Sequence, residues 1–497
     1  MTTYLKSIDQ QGKMIFIFYL LGVLHWYLFM TWGELDYTAF DWKYIHQWLA
    51  VMKLALEAGQ IPYHVAYYLE EIATGQWVFD SRYFALPFLI ASPQILALSF
   101  LGISDWMTLQ LILIYTVGFW GLVKWIRKLE LSVSASVFVI LLFNFNGFHS
   151  SRIGVGHLQN TGYFLVPWLL WIVNNFIVSR FSGFKHNLLI SLQLAFFLFF
   201  TLLQGSMLLI QNMFLVGLCI LAFYPKQIPW YLLGAAIGLI LSSYIVWPVL
   251  LFSPYASSTS REVASGYGVK YHGAFSYIAG AMYRLWDGLT GLYTARADAW
   301  EYDAYIGLFG VVLLLVGGTG VLMRKTPLGP SSPLLSKGFT VGMSVVLLLS
   351  LDSVYKNIWS LLLLVYPLPA IDRFPSRLII YPLTYVILVA SLGFDQAFEI
   401  VRREKVRSIL KWLSLLILFI LLMQHSLLWS FSNTALEWFG NPDSLEQKLT
   451  FGARILNHGG DDLYITTVNV SYFVSLITGI SAAVGYIYLR RRVFQPS

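Results

Sequence analysis

Three carboxylates, Glu34, Asp36 and Asp41, stand within eight residues directly after the first strongly apolar run of the chain, residues 14–32. A carboxylate kept ionised in a partly dry site can accept a proton from a hydroxyl, and that is the chemistry these acids suit. Asp41 is the best placed of the three. Thr38 precedes a helical pattern over residues 39–58, with Gly59 as its stop. At 100° per residue, Ile45, Trp48, Leu49, Met52 and Leu56 share one face, and Lys43, His46, Ala50, Lys53 and Glu57 share the other. Such a helix suits the membrane interface. Asp41 falls on the apolar face in the first turn, where a helix N-terminus favours its ionised form. Two compatible readings stay open: a general base aimed into a cavity between this helix and the rest of the protein, or one half of a capping box, Thr38-x-x-Asp41. Asp36 precedes the helix and would assist the base, orient the acceptor, bind a metal or simply be solvated. Glu34 reads as interfacial.

Matching cations occur farther along. "HSSRIGVGHLQN" (149–160) carries Arg152 and His157, and "AIDRFPSRL" (370–378) carries Arg373 and Arg377. Guanidinium groups at a membrane surface suit phosphate, which they grip bidentately. Lipid-headgroup anchoring, or pairing with Asp372 or a loop acid, is the competing explanation. Pro375 lies between Arg373 and Arg377 and argues against a simple helical pair. The aromatic and glycine-rich stretch 252–304 suits sugar stacking, and equally an interfacial aromatic belt. Asp287, Asp298, Glu301 and Asp303 make only a weak cation site. His25 and His425 lie in apolar runs, where a structural hydrogen bond is the expected role. No phosphate-binding glycine loop, HExxH or GxSxG occurs, so nothing points to ATP, zinc or flavin chemistry.

These residues need a scaffold, and the composition says which kind. The chain of 497 residues is 58% hydrophobic, 17% aromatic and only 11% charged, against about 25% charged in soluble proteins. The expected fold is all-α, a polytopic transmembrane bundle forming a single domain. Twelve spans are expected, roughly 14–32, 105–123, 131–147, 161–178, 187–204, 207–224, 230–251, 305–323, 338–352, 378–395, 410–430 and 468–489. The first reads as an uncleaved span. The run 84–103 is interrupted by Pro87 and Pro93 and reads as a re-entrant or interfacial segment. On that reading every basic cluster falls on one side, so the positive-inside rule puts both termini in the cytoplasm. The acids and the four long loops, 33–104, 252–304, 353–377 and 431–467, then lie outside, on the working face. The net charge of +7 sits in short clusters between apolar runs, which argues against nucleic acid. The lone Cys219 excludes an internal disulfide.

The motifs "FDWKYIHQW" (40–48), "EAGQIP" (57–62), "ASPQ" (91–94), "RIGVGHLQ" (152–159), "YDAYIGL" (302–308) and "DRFPSRL" (372–378) occur in an order that resembles the GT-C class of integral-membrane glycosyltransferases. More narrowly, they resemble the YfhO-like and related uncharacterised bacterial and archaeal membrane proteins. The chain departs from that pattern at Lys43, where relatives often carry a second acid, at Ser92 in place of Asn, and over 63–75. The resemblance implies hexosyl or pentosyl transfer from a polyprenyl-phosphate donor to a lipid, glycan or protein acceptor, in the cell membrane of a bacterium or archaeon. It implies Asp41 as base with Asp36 beside it. Arg373, Arg377, Arg152 and His157 would hold the donor phosphate, and Gln94, Gln159 and Trp42 the substrate. No cofactor or metal is called for. Apart from these substrates, the expected partners are membrane lipids.

Two alternatives belong to other classes. A transporter or flippase of a lipid-linked sugar needs polar residues through the membrane midplane, whereas here the spans carry few charges. A non-catalytic membrane protein of the same fold would keep the scaffold without needing the acids.

Overall fold

The computed structural model describes residues 2–31, 42–57, 59, 64–67, 79–82, 92–179, 183–252, 305–323, 335–350, 375–430, 454–455 and 462–494. In chain order the helices are α1 (Thr2–Thr31), α2 (Trp42–Glu57), α3 (Ile103–Lys128), α4 (Val133–Asn144), α5 (Gly147–Gly154), α6 (Val166–Val178), α7 (Phe184–Leu203), α8 (Met207–Leu221), α9 (Ile228–Leu241), α10 (Ser243–Phe252), α11 (Gly307–Met323), α12 (Lys337–Leu349), α13 (Ile380–Ala397), α14 (Glu404–Ser430) and α15 (Asp462–Phe494). Short 3-10 turns cover Pro93–Ser99, Leu158–Leu165 and Pro375–Ile379. The helical architecture carries one small addition, an antiparallel sheet in which β1 (His64–Tyr67) lies between β2 (Phe79–Arg82) and β3 (Arg454–Ile455).

Among the described residues, eight helical segments are long and apolar enough to cross a bilayer, and a sharply bent pair makes up to nine. Their large apolar residues lie on the outside, as Phe16, Leu20 and Leu24 do on α1 and Phe473, Leu476 and Ile480 on α15. In water such stripes would be a liability. In a bilayer they face the solvent they need, and the chain is a multi-pass membrane protein. The expected count of twelve is not reached among the described residues. α8 has 15 residues, α11 has 17 and α12 has 13, so at 1.5 Å per residue they reach roughly 20–26 Å, short of a hydrocarbon core of about 30 Å.

The run 230–251, expected as one span, is two helices that meet at 83°. Hydropathy does not detect this break because both arms are apolar. What marks it is Ser242, and what supports it is the far end of the chain. Ser475 of α15 donates its hydroxyl to the Leu241 carbonyl, and Ser243 donates to the Ser471 carbonyl at 3.2 Å. A neighbouring helix thus supplies the donor for a carbonyl at the break, as broken membrane helices require. Tyr244, Ile245 and Phe252 pack with Tyr464 and Val468 in a separate small core.

The main core is built around α4. Every residue from Ser134 to Asn144 is buried, the pattern of a helix surrounded by other helices. α11 and α13 approach each other closely. A Cβ on Gly320 would overlap the Gly393 backbone, and one on Gly317 would overlap the Ala390 carbonyl, so the two backbones touch through small residues. Gly320→Val should therefore lower stability by about 1–3 kcal/mol or more, read as a drop in thermal midpoint in detergent. The exposed Gly12→Val change, where a Cβ meets nothing within 4 Å, should not move it by overpacking. Two residues past Gly393, Asp395 takes a 2.6 Å salt bridge from Lys411 of α14 and a 2.7 Å hydrogen bond from Ser134 of α4, tying three helices together.

Candidate functional site

The site begins at Asn146, which makes α5 a separate helix. Its side-chain amide donates to the carbonyls of Leu142 (3.1 Å) and Phe143 (2.6 Å), while its oxygen accepts from the His149 N–H (3.3 Å). One side chain so ends α4 and caps α5. The Gly147 N–H donates to the Tyr305 carbonyl at 2.7 Å, fixing the start of α5 against the segment before α11.

α5 carries Arg152 inward. The residue is 1% exposed, and its guanidinium carbon lies 3.9 Å from the centre of the Phe148 ring, a cation–π contact in a desolvated setting. His149, one turn earlier, is also buried. Its ring stacks on Phe164 at 4.0 Å, and among the described residues its Nε2 has no hydrogen-bond partner. The chain leaves α5 through Gly156, whose φ of +87° is open to glycine. His157 follows, with its N–H on the Arg152 carbonyl at 2.9 Å. Phe148 also meets Tyr163 edge-on at 5.0 Å, and Tyr163 meets Tyr381 at 6.3 Å. Tyr381 lies one helical turn after Arg377, which is 6% exposed at the entry to α13. An aromatic chain thus connects the Arg152 helix to the segment that bears Arg377.

Helix α2 is the spine that joins the other pieces. Its buried residues Trp42, Ile45, Leu49, Met52 and Ala55 recur at helical spacing. The Trp42 indole N–H donates to the Gly154 carbonyl at 3.1 Å. A Cβ on Gly154 would come within 3.1 Å of the Trp429 carbonyl, so this end of α5 is hemmed in from α14 as well. At the other end of α2, Lys53 donates to the carbonyls of Leu98 (2.9 Å) and Leu101 (3.0 Å). The sequence reading puts Lys53 on the solvated face. Instead its ammonium caps the 3-10 turn Pro93–Ser99, where the last carbonyls lack partners. Gly59, just past the helix, has φ of +63°.

That 3-10 turn presents Gln94. Its amide donates to Gln110 Oε1 (3.0 Å) and Gln204 Oε1 (2.8 Å), Gln110 also donates to Gln204, and Trp106 Nε1 donates to the Gln94 carbonyl (2.8 Å). Gln94 and Gln204 of this cluster line one end of a largely apolar cavity of about 690 Å³ between α3, α6 and α7.

Of the residues singled out in the sequence, Trp42, Arg152 and His157 come together around α5. Arg377 is linked to them through Tyr381, and Gln94 stands apart at the cavity. Gln159 lies in the 3-10 turn that follows His157. Asp36, Asp41 and Arg373 lie outside the described residues, as do Glu34, Asp287, Asp298, Glu301 and Asp303. Arg152 is not a loop cation: the helical span that begins at Val133 runs on to Gly154 and takes it into the protein interior. Sequence reasoning passes over His149, Gln110 and Gln204. It also passes over a buried hydroxyl chain in which Ser150 donates to Ser426 (2.8 Å) and Ser426 meets His25 Nε2 (2.9 Å). Polar residues inside apolar runs are the signal that finds all of these. His425 stacks on Tyr305 at 4.0 Å and accepts from Trp429 Nε1 at 3.3 Å. Among the described residues no three His, Cys, Asp or Glu side chains gather as a metal site would need.

No protein-family model, no curated protein and no solved structure matches the chain.

Proposed function

We propose that this protein is a GT-C-type glycosyltransferase that moves a sugar from a polyprenyl-phosphate donor to an acceptor hydroxyl on the extracytoplasmic side of the membrane. One observation carries the reading: the indole of Trp42, the covalent neighbour of Asp41, is fixed to the carbonyl of Gly154, two residues after Arg152. The start of α2 is thereby tied to the end of the helix that bears a buried arginine, and this supports a mechanism in which an acid next to Trp42 in sequence works together with that charge.

The chemistry needs little else. Asp41 takes the proton from the acceptor hydroxyl as its oxygen bonds to the anomeric carbon. The bond from that carbon to the phosphate oxygen breaks, and its electron pair leaves on the lipid phosphate. Arg373 and Arg377 hold that phosphate, and His157 hydrogen-bonds it or the sugar. Arg152, which is buried, adds its charge from behind, where a low dielectric makes a fixed cation effective. Asp36 orients the acceptor, with Trp42 and Gln159 near the sugar.

The test is sugar transfer in proteoliposomes supplied with polyprenyl-phosphate-linked sugars. Arg373→Ala and Arg377→Ala should each raise the donor KM about tenfold or more, since a charge-assisted hydrogen bond is worth roughly 1.5–3 kcal/mol. If neither variant alters donor dependence, the phosphate role is wrong. Absence of transfer from any such donor by the intact protein would remove the enzyme reading altogether.

A further inference from the structure

The 690 Å³ cavity has a second end, and it is cationic. Lys124 lines it, with its ammonium 4.4 Å from the centre of the Trp168 ring and 5.7 Å from that of Trp171. One turn on, Lys128 lies 4.6 Å from the Trp171 ring. Arg490 of α15 is near enough to repel the Lys124 charge. Among the described residues none of these three cations forms a salt bridge.

The walls between the two ends are mostly apolar, with Leu113, Val117, Leu165, Ile172, Phe197 and Phe200, and Gln193 of α7 is a polar side chain among them. From Lys124 back to Leu113 is eleven residues of α3, or about 17 Å at 1.5 Å per residue. That is a little more than half of a hydrocarbon core of roughly 30 Å, the depth of one leaflet's acyl chain. The glutamine cluster then shuts the far end. A slot of one-leaflet depth, with cations and indoles at its mouth and a polar floor, has the complementarity of a lipid whose phosphate stays at the interface and whose chain runs inward. Basic residues gather at this end of α3 and α15, the end that the positive-inside pattern assigns to the cytoplasm.

We infer that this groove is a binding site for an anionic diacyl phospholipid of the cytoplasmic leaflet, with its phosphate at Lys124, Lys128 and Arg490 and one acyl chain along α3 and α7. The site is separate from the Arg152 region and does not depend on the glycosyltransferase reading. The occupant relieves the repulsion between Lys124 and Arg490 and fills the space between α3, α6 and α7.

The experiment is native mass spectrometry of the full chain in delipidating detergent, titrated with phosphatidylglycerol, phosphatidylcholine or a polyprenyl monophosphate. Phosphatidylglycerol should be retained at least about tenfold better than phosphatidylcholine. Lys124→Gln combined with Arg490→Gln should bring the two within about twofold. Should the Lys124 change unfold the protein, Arg490→Gln alone, at an exposed position, should still weaken the preference. Val117→Trp, which fills the groove without touching a cation, should reduce retention of both phospholipids. Equal retention of the two phospholipids by the wild type would overturn the proposal, as would an unchanged preference in the Arg490 variant. So would retention of the polyprenyl monophosphate in place of phosphatidylglycerol.

Discussion

Asp41→Asn should remove sugar transfer, lowering kcat about 10²- to 10⁴-fold, the range a positioned general base contributes. Expression and membrane insertion should be unaffected. Asparagine keeps the size and much of the hydrogen-bonding capacity of aspartate but is not basic. If Asp41 only caps α2, the change sacrifices the charge–dipole part of the cap, about 0.3–1 kcal/mol, and transfer persists. The two readings therefore part cleanly, kcat reporting one and thermal midpoint the other. Full activity in the Asn variant would end the assignment of Asp41 as the base.

Arg152→Met should be nearly as damaging. Methionine is long and unbranched, so it keeps apolar contact with Phe148 while deleting the charge. On the proposed mechanism the lost cation stabilises the departing phosphate, and kcat should fall about 10²- to 10³-fold, as when one preorganised charge-stabilising donor is removed. A merely structural arginine would behave differently: the thermal midpoint would drop while the folded fraction kept its normal kcat. Measuring both quantities on the same detergent-purified sample decides between them.

Much of the bundle can be read from the sequence because membrane spans announce themselves by composition. The apolar runs beginning near residues 14, 105, 131, 161, 187, 378, 410 and 468 each correspond to a helix able to cross. Hydropathy does not encode direction. That is why the 83° break at Ser242 escapes it, and why Gly307–Met323 and Lys337–Leu349 look like full spans when they are short. The inward face of α2 is legible at Ile45, Leu49 and Met52 because helical spacing repeats there. Lys53 is not, since its role is set by carbonyls at Leu98 and Leu101, some 45 residues away. The same limit hides the pairing of Trp42 with Gly154, at a separation of 112 residues. Arginine in a stretch rich in serine and glycine reads as a loop residue. Only the asparagine that bridges α4 to α5 explains why Arg152 continues inward.

The stitch between α10 and α15 bears on how the protein is made. Leu241 leaves the ribosome 234 residues before Ser475, whose hydroxyl it needs. At about 5–20 residues per second, the bent pair waits roughly 10–50 s for its partner. During that interval a half-helix with an open carbonyl sits in the translocon or the lipid beside it. The bent pair is thus completed only when α15 arrives, and a chain stopped ahead of Asp462 would present a recognisable defect to membrane quality control.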